Sequence, residues 1–143
     1  GDYPANHGMT IAVSSLDREM NLADYSGKGD YIDFSAPSTD VEEIFSNSAN
    51  ISRWSGAQYS NAQIAATIAL IKTYSKDATI LDVYNFLRNF SEDLGDEGKD
   101  ELYGYGCPKF QNLTIGDIDK TSPEFKEVTF ENDTFKFVEI IRP

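Results

Sequence analysis

The stretch from Asn61 to Tyr74 constrains this chain more than any other. It contains no Gly or Pro, and Ile64, Ile68 and Ile71 recur at i, i+4 and i+7, the spacing of one helix face. Ala62, Ala65, Ala66, Ala69 and Leu70 make the remaining faces small or apolar. A helix that is apolar nearly all round predicts burial on most sides. Ser60 followed by Gln63 fits a capping box at its start. Such a helix needs layers above and below it, so the chain is expected to be part of a layered fold.

Strand patterns surround the helix. Thr10 to Ser14 reads as a short buried strand, Tyr31 to Phe34 as a second ended by Ala36-Pro37, and Val41 to Phe45 as a third. Asp17 to Gly29 and Ser46 to Asn50 read as loops. A second helix is predicted from Ile80 to Phe90. Thr79 and Asp82 form its capping box, and Ile80, Val83, Tyr84, Leu87 and Phe90 its core stripe. Gly95 supplies a stop beyond it. Strands mixed with buried helices over residues 10 to 107 predict an α/β layer structure. Val128 to Phe130 and Phe135 to Ile141, separated by Glu131-Asn132-Asp133-Thr134, predict a closing β-hairpin.

At 143 residues the chain is long enough for one core and short for two. Its formal net charge of −12 argues against a nucleic-acid partner, whose phosphates call for Lys and Arg. No apolar run approaches the roughly 20 residues that span a bilayer. A single cysteine, Cys107, rules out an internal disulfide, and no Cys/His cluster suggests zinc. Cys107 is expected to be a small buried side chain, with acidic surroundings that raise its pKa. No metal or cofactor is expected. The acidic run Glu92, Asp93, Asp96, Glu97, Asp100 and Glu101 lacks the spacing of a calcium loop and reads as a solvated loop. Lys72 and Lys76 are expected to oppose the dipole of the first helix. The opening Gly1-Asp2-Tyr3-Pro4 reads as the middle of a longer chain.

Four ordered segments resemble the subtilisin-like serine proteases. Tyr3-Pro4-Ala5 with Ile11-Ala12-Val13 and Asp17 is similar to the family's "YPA…VIAVGAVD". Tyr25-Ser26-Gly29 and Asp33-Phe34-Ser35-Ala36-Pro37 are similar to "FSNYG…DISAPG", with Ser38 in place of the last glycine. Residues 55 to 66, SGAQYSNAQIAA, align without a gap to "SGTSMATPHVAG". Asp93-Leu94-Gly95 and Tyr103-Gly104-Tyr105-Gly106 are similar to the "DLG…YGYG" that closes the family's catalytic domain. The resemblance implies a partial subtilisin-like three-layer fold over residues 1–110, with a mostly parallel sheet and a buried central helix. Residues 111–143 would form an extension whose hairpin packs on it.

Carried over residue by residue, the resemblance implies an inert module. The family's nucleophilic serine falls on Gln58, whose carboxamide has no proton to yield and is a very poor nucleophile. Ser55 corresponds to the family's strand-end serine, which helps shape the substrate cleft and is not a nucleophile, so Ser55, Gly56 and Gln58 are expected to be the remnant of that cleft. Ser60, two residues on, is rotated by about 200° on a helix and faces elsewhere. The family's Asp and His motifs and its oxyanion asparagine lie upstream of the matching portion. His7 is the only histidine, and it reads as an exposed loop residue. One backbone N–H near Gln58 of the oxyanion type supplies little without nucleophile and base. The expected function is therefore a catalytically inactive binding or regulatory scaffold for a peptide or protein. The alternative is the C-terminal part of a longer peptidase needing a separate N-terminal half. Half of such a sheet leaves an edge and a helix face bare, so a homo-oligomer or a complementary half is expected to cover them, unless the hairpin with Phe130, Phe135 and Phe137 does so. Family likeness implies a secreted or cell-surface location.

Overall fold

The computed structural model describes residues 3–44, 51–109, 130–131 and 134–135. In chain order the elements are β1 (Ala12–Leu16), β2 (Ile32–Pro37), β3 (Val41–Ile44), β4 (Ile51–Trp54), α1 (Ala57–Tyr74) and α2 (Ile80–Asn89). The two-residue strands β5 (Ser91–Glu92), β6 (Cys107–Pro108), β7 (Phe130–Glu131) and β8 (Thr134–Phe135) follow.

The sheet that organises the molecule is the parallel pair β1–β2, with Val13 opposite Phe34 and Leu16 opposite Pro37. A parallel pair needs a long connection, which residues 17–31 provide. Every residue of β2 from Ile32 to Ala36 is buried, as expected of a parallel strand covered on both faces. On its side away from β1, Tyr105 N–H donates to the Asp33 carbonyl (2.8 Å) and Ser35 N–H to the Gly106 carbonyl (2.9 Å). The α/β architecture with a parallel sheet is thus present. The remaining pairings, β3–β4, β5–β6 and β7–β8, are antiparallel ribbons.

Helix α1 packs across β1 and β2. The core joins Phe34 and Ala36 of the sheet to Ile64 and Ile71 of α1 and to Val83, Phe86 and Leu87 of α2. Phe34, Val83 and Leu87 are fully buried, each burial stabilising by roughly 1.5–3 kcal/mol. Five serines, Ser14, Ser15, Ser35, Ser38 and Ser60, are equally sealed from water. Their hydroxyls are all spoken for. Ser14 bonds Ser35 (3.1 Å), Ser35 donates to the Tyr103 carbonyl (2.7 Å), and Ser60 donates to the Ala36 carbonyl (2.9 Å) with its oxygen 3.2 Å from Ser15 Oγ. Ser38 Oγ lies 2.9 Å from the Tyr25 hydroxyl. A buried hydroxyl without a partner would be destabilising, and none of the described side chains has one.

Several expectations need correcting. Helix α1 begins at Ala57 rather than Asn61, with Gly56 as N-cap and no side-chain cap. Ser60 and Gln63 form no capping box, because both reach across to the sheet: Gln63 Nε2 donates to the Pro37 carbonyl (2.7 Å). Nor is α1 buried on most sides. Only Ser60, Ile64 and Ile71 are buried, while Ala62, Ala65, Ala66, Ala69 and Leu70 are exposed. The buried stripe of α2 is Val83, Phe86 and Leu87, with the expected Tyr84 and Phe90 partly buried and packed against the core. Ile80, placed in the core by spacing, is 68% exposed, because the first turn projects beyond the sheet-facing part of the helix. The α2 capping box forms as expected, Thr79 N–H donating to Asp82 Oδ2 (2.8 Å) and Asp82 N–H to Thr79 Oγ1 (3.2 Å).

No sequence pattern announces strand β4. It pairs with β3 from Val41–Trp54 to Ile44–Ile51. The loop expected at Ser46 to Asn50 lies outside the described residues, as does most of residues 111–143, including Phe137. Of the expected hairpin, the described part pairs Phe130 with Phe135 and Glu131 with Thr134. Lys72 does more than oppose a dipole. Its ammonium donates to the carbonyls of Lys76 (3.2 Å) and Ala78, just past the helix end.

Candidate functional site

The site is assembled where β2 ends, β4 ends and α1 begins. Strand β2 runs through Pro37 into Ser38, whose N–H donates to the Leu16 carbonyl (2.9 Å). The Ser38 carbonyl accepts from Gly56 N–H (3.0 Å), so the residue preceding α1 is pinned to the end of the parallel sheet. Ser55, exposed, accepts at its Oγ from Asp40 N–H (3.0 Å) and closes the turn between β2 and β3. Asp40 has a φ of +55°, a backbone state that Asp tolerates better than most residues.

Gln58 is the second residue of α1 and is exposed. Its side chain folds back over Gly56: a Cβ built on Gly56 would fall 2.6 Å from Gln58 Nε2. Glycine there leaves room for the amide. Ser60 lies on the opposite side of the helix, fully buried against Ser15 and Ala36. The two residues thus differ in environment as their helical spacing requires. Tyr59 flanks the site and donates from its hydroxyl to Glu43 Oε2 (2.6 Å). That bond to the carboxylate, followed by desolvation, raises the phenol's pKa. The structure therefore brings Ser55, Gly56 and Gln58 together at one helix mouth, with an uncapped first turn behind them.

His7 is not part of this group. It is exposed in the turn before β1, where its Nδ1 accepts from Met9 N–H (3.4 Å), and no described hydrogen bond links it to Ser55, Gly56 or Gln58. In the acidic run of residues 92–101, Glu92 pairs with Lys109, and two carboxylates are taken by backbone N–H groups in or next to the run. Asp93 accepts from Gly98 N–H (2.7 Å), and Asp100 accepts from Leu102 and Tyr103 N–H (2.7 Å each) and from Asp96 N–H (3.2 Å). Among the described residues no group of three or more His, Cys, Asp or Glu side chains could hold a metal ion, and no helix is long and apolar enough to cross a membrane. Cys107 is buried, and its thiol is pushed up to about 11. Burial is the main cause; Glu92 adds to it and Lys109 opposes it.

Sequence reading missed the Tyr25 hydroxyl, which reaches the Ser38 carbonyl (3.0 Å) and Thr39 Oγ1 (2.9 Å) beneath the site, and the Tyr59–Glu43 bond beside it. Both join residues more than ten positions apart, and no local pattern announces them. Asp33, which the sequence marks only as part of a motif, is buried in β2 and ties three elements together. Its Oδ2 accepts from Ala12 N–H (2.9 Å), and its Oδ1 accepts from the Tyr84 hydroxyl (2.8 Å) and Lys99 (3.4 Å).

Comparison with known proteins places this geometry. The family model described as "Subtilase family" matches residues 1–106. Minor extracellular protease Epr of Bacillus subtilis is 31% identical over 110 residues, covering 77% of this chain and 17% of Epr. Subtilisin BL of Lederbergia lenta is 29% identical over 112 residues, covering 78% of this chain and 40% of its own length. The solved structure of MycP1 from Mycobacterium smegmatis superposes with a TM-score of 0.66 at 17% identity, over 92% of this chain and 36% of that one. A lanthipeptide protease gives 0.65 at 23% identity, over 74% and 40%. The chain thus spans well under half the length of these relatives.

Proposed function

The chain belongs to the subtilase family, and we propose that it is a non-cleaving peptidase module that retains the scaffold for binding a peptide or a protein. One observation carries this reading: Gln58 stands exposed at the second position of α1, beside the parallel sheet, where the family motif carries its attacking serine. A carboxamide cannot take the part of a hydroxyl whose proton is removed by a base. Folded over Gly56, it also fills the corner at the helix mouth. Ser60 is sealed beneath the helix and offers no replacement.

The same scaffold supports a second reading, that this module is completed by a complementary part of a subtilase domain or by another copy of itself. Favouring it are the bare Ala62, Ala65, Ala66, Ala69 and Leu70 on α1 and the 36–40% of the solved relatives that the chain covers. We favour the complementary part, because two copies bring together net charges of −12 each. Residues 111–143 are taken, in this reading, as an extension packed on residues 1–110.

The test of inertness is a serine-reactive fluorophosphonate probe together with a fluorogenic peptide assay. No labelling and no turnover are expected, with Gln58→Ser equally silent in this chain because base and orienting acid are lacking. Labelling of any serine in the unaltered chain would overturn the proposal. Sedimentation alone and with an added N-terminal subtilase segment tests the second reading; a monomer indifferent to that segment would defeat it.

A further inference from the structure

A groove of about 600 Å³ lies away from Gln58, between the turn of residues 5–11 and the first turn of α2. That volume is within the range of small-ligand sites. Its rim is apolar and open to water: Met9 is 91% exposed, Ile80 68% and Leu81 63%. Ile80 and Leu81 sit side by side at the start of a helix whose core contacts are made by Val83, Phe86 and Leu87. The fold therefore makes no use of them.

The floor of the groove is polar, and its hydrogen bonds can be accounted for. Asp33 accepts from Ala12 N–H at Oδ2 and from the Tyr84 hydroxyl and Lys99 at Oδ1, so three of its roughly four acceptor sites are engaged within the fold. Lys99 carries three ammonium protons and directs one, at 3.4 Å, to Asp33. Its remaining donors fit a negatively charged acceptor, and its side chain is 32% exposed beside the groove. In the turn, the Thr10 hydroxyl lies within reach of the carbonyls of Pro4 (3.2 Å), Ala5 (3.1 Å) and His7 (2.6 Å), yet it has one proton to give. The His7 carbonyl also takes the Thr10 N–H (2.9 Å), so the acceptor capacity left along this groove wall is that of the Ala5 carbonyl.

We propose that this groove binds the C-terminal carboxylate of an apolar peptide. Lys99 takes the carboxylate, the Ala5 carbonyl accepts a peptide N–H, and Met9, Ile80 and Leu81 receive the last side chains. An alkyl acid satisfies the first and third of these and has no N–H for the second, which makes the peptide the better match. This inference is independent of the reading of Gln58.

The test uses the full chain and an N-terminally fluorescein-labelled Gly-Gly-Leu-Phe peptide, followed by fluorescence polarisation. The free acid is expected to bind at least tenfold more tightly than the same peptide as its C-terminal amide. Lys99→Met and, separately, Leu81→Asp should each weaken binding tenfold or more, while Lys99→Arg and the distant Lys76→Met should not. Leu81 is exposed, so its variant remains informative if loss of the Lys99–Asp33 pair unsettles the fold. Equal binding of acid and amide, no binding at all, or indifference to Leu81→Asp would overturn the proposal. Displacement by decanoate as effective as by the unlabelled peptide would overturn the peptide assignment in favour of an alkyl acid.

Discussion

Two glycines separate backbone strain from steric exclusion in this fold. Gly106 (φ +91°) and Gly98 (φ +89°) share a left-handed backbone, so an alanine at either meets the same conformational penalty of roughly 1–2 kcal/mol. Their surroundings differ. A Cβ on Gly98 meets nothing, whereas one on Gly106 would run into the Glu92 carbonyl and approach the Asp93 Cα to 3.0 Å. Both obstacles are main chain, so β5 must move away from β6. That movement strains the Ser91–Pro108 and Glu92–Cys107 pairing and the Lys109 N–H bond to the Phe90 carbonyl (2.8 Å). With each net hydrogen bond worth about 1 kcal/mol, the added penalty is about 2 kcal/mol. Gly98→Ala should therefore destabilise by about 1–2 kcal/mol and Gly106→Ala by about 3–4 kcal/mol. In urea, with a slope of about 1–3 kcal/mol per M, the midpoint of Gly106→Ala should lie lower than that of Gly98→Ala by about 1 M. Equal midpoints would refute the claim that the close passage of β5 excludes a side chain at position 106.

Ser60→Ala removes the donor to the Ala36 carbonyl in a dry site and should destabilise by about 1–3 kcal/mol, while Gln58→Ala, two residues away and exposed, should stay within about 0.5 kcal/mol; denaturant midpoints compare them directly. Thr79→Ala should lose about 1 kcal/mol through its cap, seen as a lower melting temperature with unchanged spectra. Cys107 adds a pH dependence. The unfolded thiol ionises near about 8.5, but the folded one, held up by burial, does so only at about 11. Between those values the unfolded chain has lost a proton that the native chain keeps, so stability falls as pH rises, by up to about 3 kcal/mol. Cys107→Ala should flatten that part of the stability–pH profile, and an unchanged slope would exclude the thiol as its source.

What could be read without coordinates divides by the range of the interactions involved. The α2 capping box was legible because Thr79 and Asp82 satisfy each other within one turn. The same pattern at Ser60 and Gln63 misled, because their groups go instead to Ala36 and Pro37, more than twenty residues earlier in the chain. Local spacing cannot distinguish a serine that caps a helix from one that bonds a strand beneath it. The buried serines were invisible for the same reason: their bonds run between β1, β2 and α1, and a serine in isolation reads as a surface residue. Gln58 was legible as the occupant of a helix mouth because the motif around it sets the register. Its amide turned back on Gly56 was not.

Helix α1 shows where sequence reading and structure differ to good purpose. Small and apolar residues nearly all round its axis imply burial on most sides, yet the described residues cover only the stripe of Ser60, Ile64 and Ile71. Alanine tolerates water and is a strong helix former, so the uncovered face does not forbid the helix. Close helix packing calls for small side chains that let another backbone approach, and Ala62, Ala65, Ala66 and Ala69 supply them in two adjoining rows. Such a composition is compatible with close packing against another backbone. On the proposed reading, with Gln58 standing in place of the attacking serine at the mouth of the same helix, association through this face rather than cleavage is the property to measure first.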